Sequence, residues 1–267
     1  IGWCYYKMGD VNKALDLFEE YLAKYPQDYL SQDIRFWLGE HHAEKKDYRK
    51  AERYFNELLK ARPVSDLADD AEYRLALITY EGGDLERAIR ELERIKDDYP
   101  KSDILPTVDL KISELLMKKG DMKAAKKRLM EFRQIHRDTG FVKLASKYLG
   151  DIFREEKDLK EAIEYYKEAI DDRRGDFNAG MQFIVARLYE ESGDIDSAIS
   201  EYMKVWYIYP DSTDIVAEAQ MACAGLFEKQ GKWEDAEKIY KKIISMDVKE
   251  APRARERMKA MESTRKN

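Results

Sequence analysis

The sequence is poor in the residues that interrupt helices, with six prolines and thirteen glycines in 267 residues. With Ala, Leu, Glu and Lys abundant, that scarcity excludes a sheet-rich fold and points to an all-α chain. Cysteine is almost missing: Cys4 and Cys223 stand at opposite ends, so neither a disulfide framework nor zinc-ligand spacing is present. Both cysteines are expected to be small buried hydrophobes. No run of about eighteen apolar residues occurs, so no membrane-spanning helix is expected, and no secretory signal pattern is found. A net charge of −6 excludes the basic field of a nucleic-acid binder. Catalytic and cofactor fingerprints are missing too, with no GxGxxG, GK[ST], GxSxG or HExxH. No catalytic residue, cofactor or metal is therefore expected, and a metal-dependent enzyme is the least favoured function.

What the sequence has is a period. A glycine or lysine, then an aspartate, then an alanine four residues on recurs in "GDVNKALDLF", "KDYRKAERYF", "GDLERAIREL", "GDMKAAKKRL", "KDLKEAIEYY", "GDIDSAISEY" and "GKWEDAEKIY". The marker alanines are Ala14, Ala51, Ala88, Ala125, Ala162, Ala198 and Ala236, at spacings of 37, 37, 37, 37, 36 and 38. Internal repeats of this length signal a stacked array. Glycine supplies the left-handed turn that ends one helix, and the aspartate caps the next. Lys46 and Lys157 replace the glycine, which implies strained turns there. Lys232 replaces the aspartate in the last unit. The alanine is small because two helices cross closely. Pro26, Pro63, Pro100 and Pro210 follow the second helix, where helical structure must stop. Each unit is a helix–turn–helix hairpin: about 1–28, 32–65, 69–102, 106–139, 143–176, 179–212 and 217–250, the first one truncated. That makes fourteen helices. Ile1-Gly2 already lies inside a helix, so upstream sequence is expected. Residues 252–267 have a helical, basic composition and are expected to be a solvated capping helix or tail, a docking tail being the alternative.

The pattern resembles the tetratricopeptide repeat, whose consensus places Leu-Gly and an aromatic in the first helix, then Ala, an aromatic and Pro. Ile1-Gly2, Tyr5, Ala14, Phe18 and Pro26 follow that order, as do Leu38-Gly39, Ala51, Phe55 and Pro63, and Leu149-Gly150, Phe153, Ala162 and Tyr166. Ala76, Ser113, Ala186 and Ala224 take the close-packing glycine position elsewhere. The resemblance implies an α-solenoid forming a right-handed superhelix. The period of about 37 exceeds the family's 34, and this longer linker resembles bacterial cell-envelope repeat proteins of the outer-membrane assembly lipoprotein or cell-division coordinator type. That second resemblance implies a periplasmic or envelope-associated location, the cytoplasm being the alternative.

His41 and His42 lie among acids in "GEHHAEKKDY". On the repeat grid His42 falls at the core position held by Tyr5, Phe153, Tyr189 and Phe227. Adjacent helical residues diverge by about 100°, so the two rings cannot share one metal. His41 with Glu44 offers half a site, and zinc needs three or four ligands. His136 lies more than two hairpins away. Both histidines are therefore expected to be scaffold.

In the family the first helices line a concave groove that commonly binds peptides through their second, fifth, ninth and twelfth positions. Carried to this chain, the groove comprises Trp3, Tyr6, Asp33, Phe36, Glu40, Asp70, Tyr73, Leu77, Tyr80, Leu110, Glu114, Met117, Lys147, Asp151, Arg154, Phe183, Arg187, Glu190, Met221 and Glu228. Phe36 and Tyr73 are expected to face the groove rather than a hairpin core. The first half combines aromatics with acids, and the second adds cations. The Lys/Asn clamp for a C-terminal carboxylate is missing. The expected function is a non-enzymatic scaffold binding a peptide or helix with apolar and basic anchors. A structural module that positions flanking domains or self-associates is the alternative.

Overall fold

The structure, a computed structural model, describes residues 1–62, 64–136, 140–246 and 248–266, with side chains described as far as Met261. Among them are fifteen helices and no strand. In chain order they are α1 (Gly2–Lys7), α2 (Val11–Lys24), α3 (Leu30–Glu44), α4 (Tyr48–Leu59), α5 (Ala68–Glu81), α6 (Leu85–Asp98), α7 (Leu105–Lys119) and α8 (Met122–Ile135). They continue with α9 (Phe141–Glu155), α10 (Leu159–Ala169), α11 (Asp176–Ser192), α12 (Ile195–Ile208), α13 (Thr213–Lys229), α14 (Trp233–Ser245) and α15 (Ala251–Lys266). No described helix is long and apolar enough to cross a membrane.

The chain forms two compact units, Ile1–Arg128 and Leu129–Asn267. In the first, α1 packs on α2, α3 on α4 and α5 on α6, while α2, α4 and α6 each also pack on the helix that follows. In the second, α9 pairs with α10, α11 with α12 and α13 with α14, with α10, α12 and α14 touching the next helix in turn. First helices also meet one another, α3 with α5 and α11 with α13. This is an α-solenoid of helical hairpins.

Local chemistry sets each hairpin. The Asp10, Asp47, Asp84, Asp121, Asp158 and Asp194 carboxylates accept from the backbone N–H three residues on, satisfying a donor that has no partner inside the helix. Lys232 provides no such cap for α14. At the preceding turn residue the backbone is left-handed, and in Lys46 and Lys157 a side chain carries that conformation, at φ 59° and 62°. All seven marker alanines are fully buried. A Cβ added at Gly39 would lie 2.5 Å from the Phe55 ring, so the hairpin closes only because that side chain is absent. The prolines expected at the helix stops, Pro26, Pro100 and Pro210, each fall two residues past the ends of α2, α6 and α12; Pro63 lies outside the described residues.

Two expectations change. The fifteenth helix, α15, is not merely solvated: Ala254 and Met261 are buried against Met221, Ala224, Tyr240 and Ile243, while Arg253, Arg255 and Lys259 stay exposed. Cys223 is buried as expected, and burial pushes its thiol up to about 12. Cys4 is exposed, contrary to expectation.

Candidate functional site

On α3, residues 33, 36, 37, 40, 41 and 44 follow the i, i+3, i+4, i+7, i+8, i+11 spacing that puts side chains on one helical face. Asp33, Glu40 and Glu44 supply carboxylates there, and Phe36, Trp37 and His41 supply rings. Together with Trp3 and Tyr6 from α1 and Leu67 beside α5, they line a cleft of about 400 Å³ within the first unit. The Trp37 ring is its centre. Trp3 and Tyr6 meet it edge-on at 5.7 and 4.9 Å between centroids, and His41 stacks on it at 5.3 Å. Trp3 and Tyr6 remain 39% and 42% exposed, so apolar ring surface faces the solvent here.

The carboxylates differ in their partners. Glu40 pairs with the Arg74 guanidinium at 2.8 Å. Burial nevertheless holds the Glu40 carboxyl above the ordinary range, and the neighbouring charges of Glu44 and Asp70 add to that while Arg74 opposes it. Asp70 is raised as well, by burial first and then by Asp69. Asp33 and Glu44 are exposed, with no hydrogen bond or ion pair to a side chain among the described residues. Arg74 acts on Glu40 and Asp70, while Asp33 and Glu44 add carboxylates to the same α3 face, so acids outnumber cations along it.

Phe36 and Tyr73 depart from expectation. Both are half-buried, Phe36 with its ring 5.7 Å from Phe55 and Tyr73 against the cluster of Ala76, Ala88 and Leu92. They serve the hairpin cores as well as the cleft side. Leu77 is half-buried, and Leu110 is 4% exposed, so Leu110 forms wall rather than contact surface. The Tyr80 hydroxyl accepts from Lys118 Nζ at 2.6 Å, and that cation also lies over its ring. Burial would raise the Glu114 carboxyl, but hydrogen bonds from Lys118 and Lys111 outweigh it and bring it below the usual range.

In the second unit the corresponding carboxylates are tied internally. Asp151 accepts from Lys147 and from the Tyr166 hydroxyl, each at 2.6 Å. Glu190 accepts from Tyr202 at 2.9 Å and Lys229 at 3.3 Å, and Glu228 from Tyr240 and Arg257. Arg154 and Arg187 are exposed, Met117 and Phe183 half-buried, and Met221 buried.

His42 stacks on Tyr54 at 5.7 Å, and burial holds its pKa below the usual imidazole value. His41 and His42 stand edge-on to each other at 5.5 Å, each engaged with a different aromatic partner. His136 packs on Phe132. Among the described residues no group of three or more His, Cys, Asp or Glu side chains is placed to hold a metal ion. The four-position scheme missed Trp37, His41 and Glu44. The signal was available, since each lies on the α3 face already marked by Asp33, Phe36 and Glu40.

A tetratricopeptide repeat-like domain family matches residues 2–179, and further tetratricopeptide repeat families match 149–213 and 221–253. The chain belongs to the tetratricopeptide-repeat family. No curated protein matches it in sequence. Among solved structures, a tetratricopeptide repeat protein from Parabacteroides merdae is 16% identical, covers 97% of this chain and 95% of its own, and superposes with a TM-score of 0.59. Pseudomonas aeruginosa pilF is 15% identical, covering 85% of this chain and 97% of its own at a TM-score of 0.59. The C-terminal part of a repeat protein from Cytophaga hutchinsonii is 20% identical over 79% of this chain and 78% of its own, at 0.61. At such identities the likeness concerns the tetratricopeptide fold alone. That fold suggests a protein-interaction or scaffold role, and proteins of the family are generally without catalysis.

Proposed function

We propose that this tetratricopeptide-repeat chain is a non-enzymatic scaffold that binds a partner's peptide or helix along the first-helix face of the Ile1–Arg128 unit. One observation carries the reading: the exposed rings of Trp3 and Tyr6, packed on the half-buried Trp37, share a cleft with carboxylates that exceed the cations beside them. Exposed aromatic surface beside unpaired charge is costly to leave open, and apolar burial with cation–π attraction recovers that cost when a partner docks. In this reading Trp3, Tyr6, Asp33, Phe36, Glu40, Asp70, Tyr73, Leu77 and Tyr80 form the contact strip.

The test is calorimetric titration with a partner identified by crosslinking through Trp3→Cys, in a chain whose Cys4 is replaced by Ser. Trp3→Ala and Phe36→Ala should each weaken binding by roughly 1–2 kcal/mol. Affinity should also fall as salt rises, since exposed charges are screened within about 10 Å at 0.1 M. Arg90 on α6, 67% exposed along its side chain and paired with Glu86, serves as the control. A partner whose affinity ignores Trp3, Phe36 and Glu40 alike sinks the reading.

A second apolar cleft of about 390 Å³, lined by Ile1, Trp3, Leu17, Phe18, Tyr21, Tyr25, Leu30 and Ile34, favours the assembly alternative. Sedimentation equilibrium over a wide concentration range separates the two, because self-association through it requires mass to rise with concentration.

A further inference from the structure

The two α3 carboxylates without partners lie at the ends of the aromatic strip, not together. Asp33 and Glu44 are eleven residues apart, which at 1.5 Å per residue is about 16 Å along the helix. One cation cannot serve both. Between them, in order along the face, come Phe36, Trp37, Glu40 and His41, and Glu40 is already held by Arg74. The open positions of the strip therefore read acid, rings, acid.

Resting on the groove reading above, we infer that this face recognises an extended segment of a partner carrying two arginines four residues apart, on one side of the strand, with apolar residues between them. An extended chain advances about 3.3 Å per residue and turns alternate side chains to one face, so arginines four apart stand about 13 Å from each other on the same face, and their long side chains span the remaining distance. The intervening apolar side chains enter the cleft against Tyr6 and Trp3, whose rings are exposed, and against the edge of the half-buried Trp37. Arginine fits each end better than lysine, because its planar fork donates two parallel N–H groups to one carboxylate and its face lies flat on a ring. His41 stands within one helical turn of Glu44, and Phe36 and Trp37 within about one turn of Asp33.

Extended backbone suits the strip, because it turns every second side chain to one face, whereas a helix spanning the same interval needs about eleven residues and brings only every third or fourth side chain to that face. The local field favours a cation as well: Glu44 and Asp70 both press on Glu40, and Arg74 is the one opposing charge acting on it.

The experiment uses the full chain and acetylated, amidated peptides bearing two arginines two, four or eight residues apart, with leucine and serine between them. Fluorescence anisotropy gives affinity, and the indole N–H resonances of Trp3 and Trp37 report location. The four-residue spacing should bind at least about tenfold more tightly than the others, a difference of about 1.4 kcal/mol. Replacing either arginine by neutral citrulline should remove most of that gain. Glu44→Gln and Asp33→Asn should each weaken the two-arginine peptide, and each should be silent towards the peptide already lacking its matching arginine. Both residues are exposed, so neither substitution threatens the fold.

Equal binding at all spacings, equal binding by citrulline peptides, or no binding at all overturns the inference. Tighter binding by a helix-favouring peptide with arginines eleven residues apart also overturns it. A partner or peptide sensitive to Trp3→Ala and Phe36→Ala but indifferent to both charge variants leaves the groove reading standing and removes only the two-cation reading. Indifference to all four removes both.

Discussion

Hairpins two and six share a backbone design but treat charge in opposite ways. Four residues past the marker alanine, the second helix carries Phe18, Phe55, Leu92 and Leu129 in the first four hairpins and Tyr166, Tyr202 and Tyr240 in the last three. All seven side chains are buried. In the last three hairpins the hydroxyl at that position reaches Asp151, Glu190 or Glu228 on the paired first helix. Lys229 and Arg257, from the first helix that follows, close on Glu190 and Glu228 from the other side. Hairpin two has a phenylalanine there and no hydroxyl to give. Its acids on α3 lie elsewhere on the face, and two of them hold no partner. The difference teaches that a common frame decides where groove positions fall, while the partners within reach, a buried tyrosine hydroxyl in the last three hairpins and cations from neighbouring residues elsewhere, decide which carboxylates are committed inward.

Breaking the common frame should have the largest effect. Ala88→Leu in one unit and Ala162→Leu in the other should each cost about 1–3 kcal/mol, since both alanines are fully buried where helices cross. Urea denaturation checks this, and parent-like midpoints would place the crossing elsewhere. Phe36→Ala should cost about 2 kcal/mol of stability as well as affinity, less than a fully buried ring because it is only half-covered. Next come the inward links. Tyr202→Phe or Tyr240→Phe should lose about 1–2 kcal/mol by removing the donor to a shielded carboxylate, whereas Asp33→Asn with Glu44→Gln should move stability by less than about 0.5 kcal/mol. If the two sets cost the same, the contrast between committed and open carboxylates is wrong. Lys46→Gly and Lys157→Gly should gain about 0.5–1 kcal/mol by relieving a left-handed side chain. The smallest effect is a titration: in Glu44→Gln, carboxyl resonances should show Glu40 moving down towards its ordinary range, because one of the charges that raise it is gone. An unmoved Glu40 would assign its shift to burial and Asp70.

Much of the frame was legible because it follows from rules that act within a few residues. The capping aspartates, the left-handed turn that Lys46 and Lys157 must adopt, and the small residue at the crossing are each determined by their neighbours along the chain. The site was legible only in part. Position on a helix face can be counted, which is how Asp33, Phe36 and Glu40 were found, and a full count of the same face would have added Trp37 and Glu44. Pairing cannot be counted: Arg74 reaches Glu40 and Lys229 reaches Glu190 from the next hairpin, by side-chain conformations that the period does not encode. Phe36 and Tyr73 were misjudged for a related reason, since a ring on the groove side is wide enough to touch the core beside it. The basic composition of residues 252–267 hid the Ala254, Met258 and Met261 stripe that seats α15. Cys4 was misjudged because residue type alone was taken to decide burial.

Those two thiols give the molecule a pair of clocks. Cys4 is open to solvent and Cys223 is sealed among Ala186, Val216 and Leu226, with its thiol held protonated. A thiol-specific reagent should therefore label the first within its mixing time and the second only when α13 lifts from its neighbours. Where closing outpaces labelling, the slow rate divided by the rate for a free thiol is the equilibrium constant of that opening. Every substitution in the last three hairpins can thus be weighed in unaltered solvent, without denaturant or an attached probe.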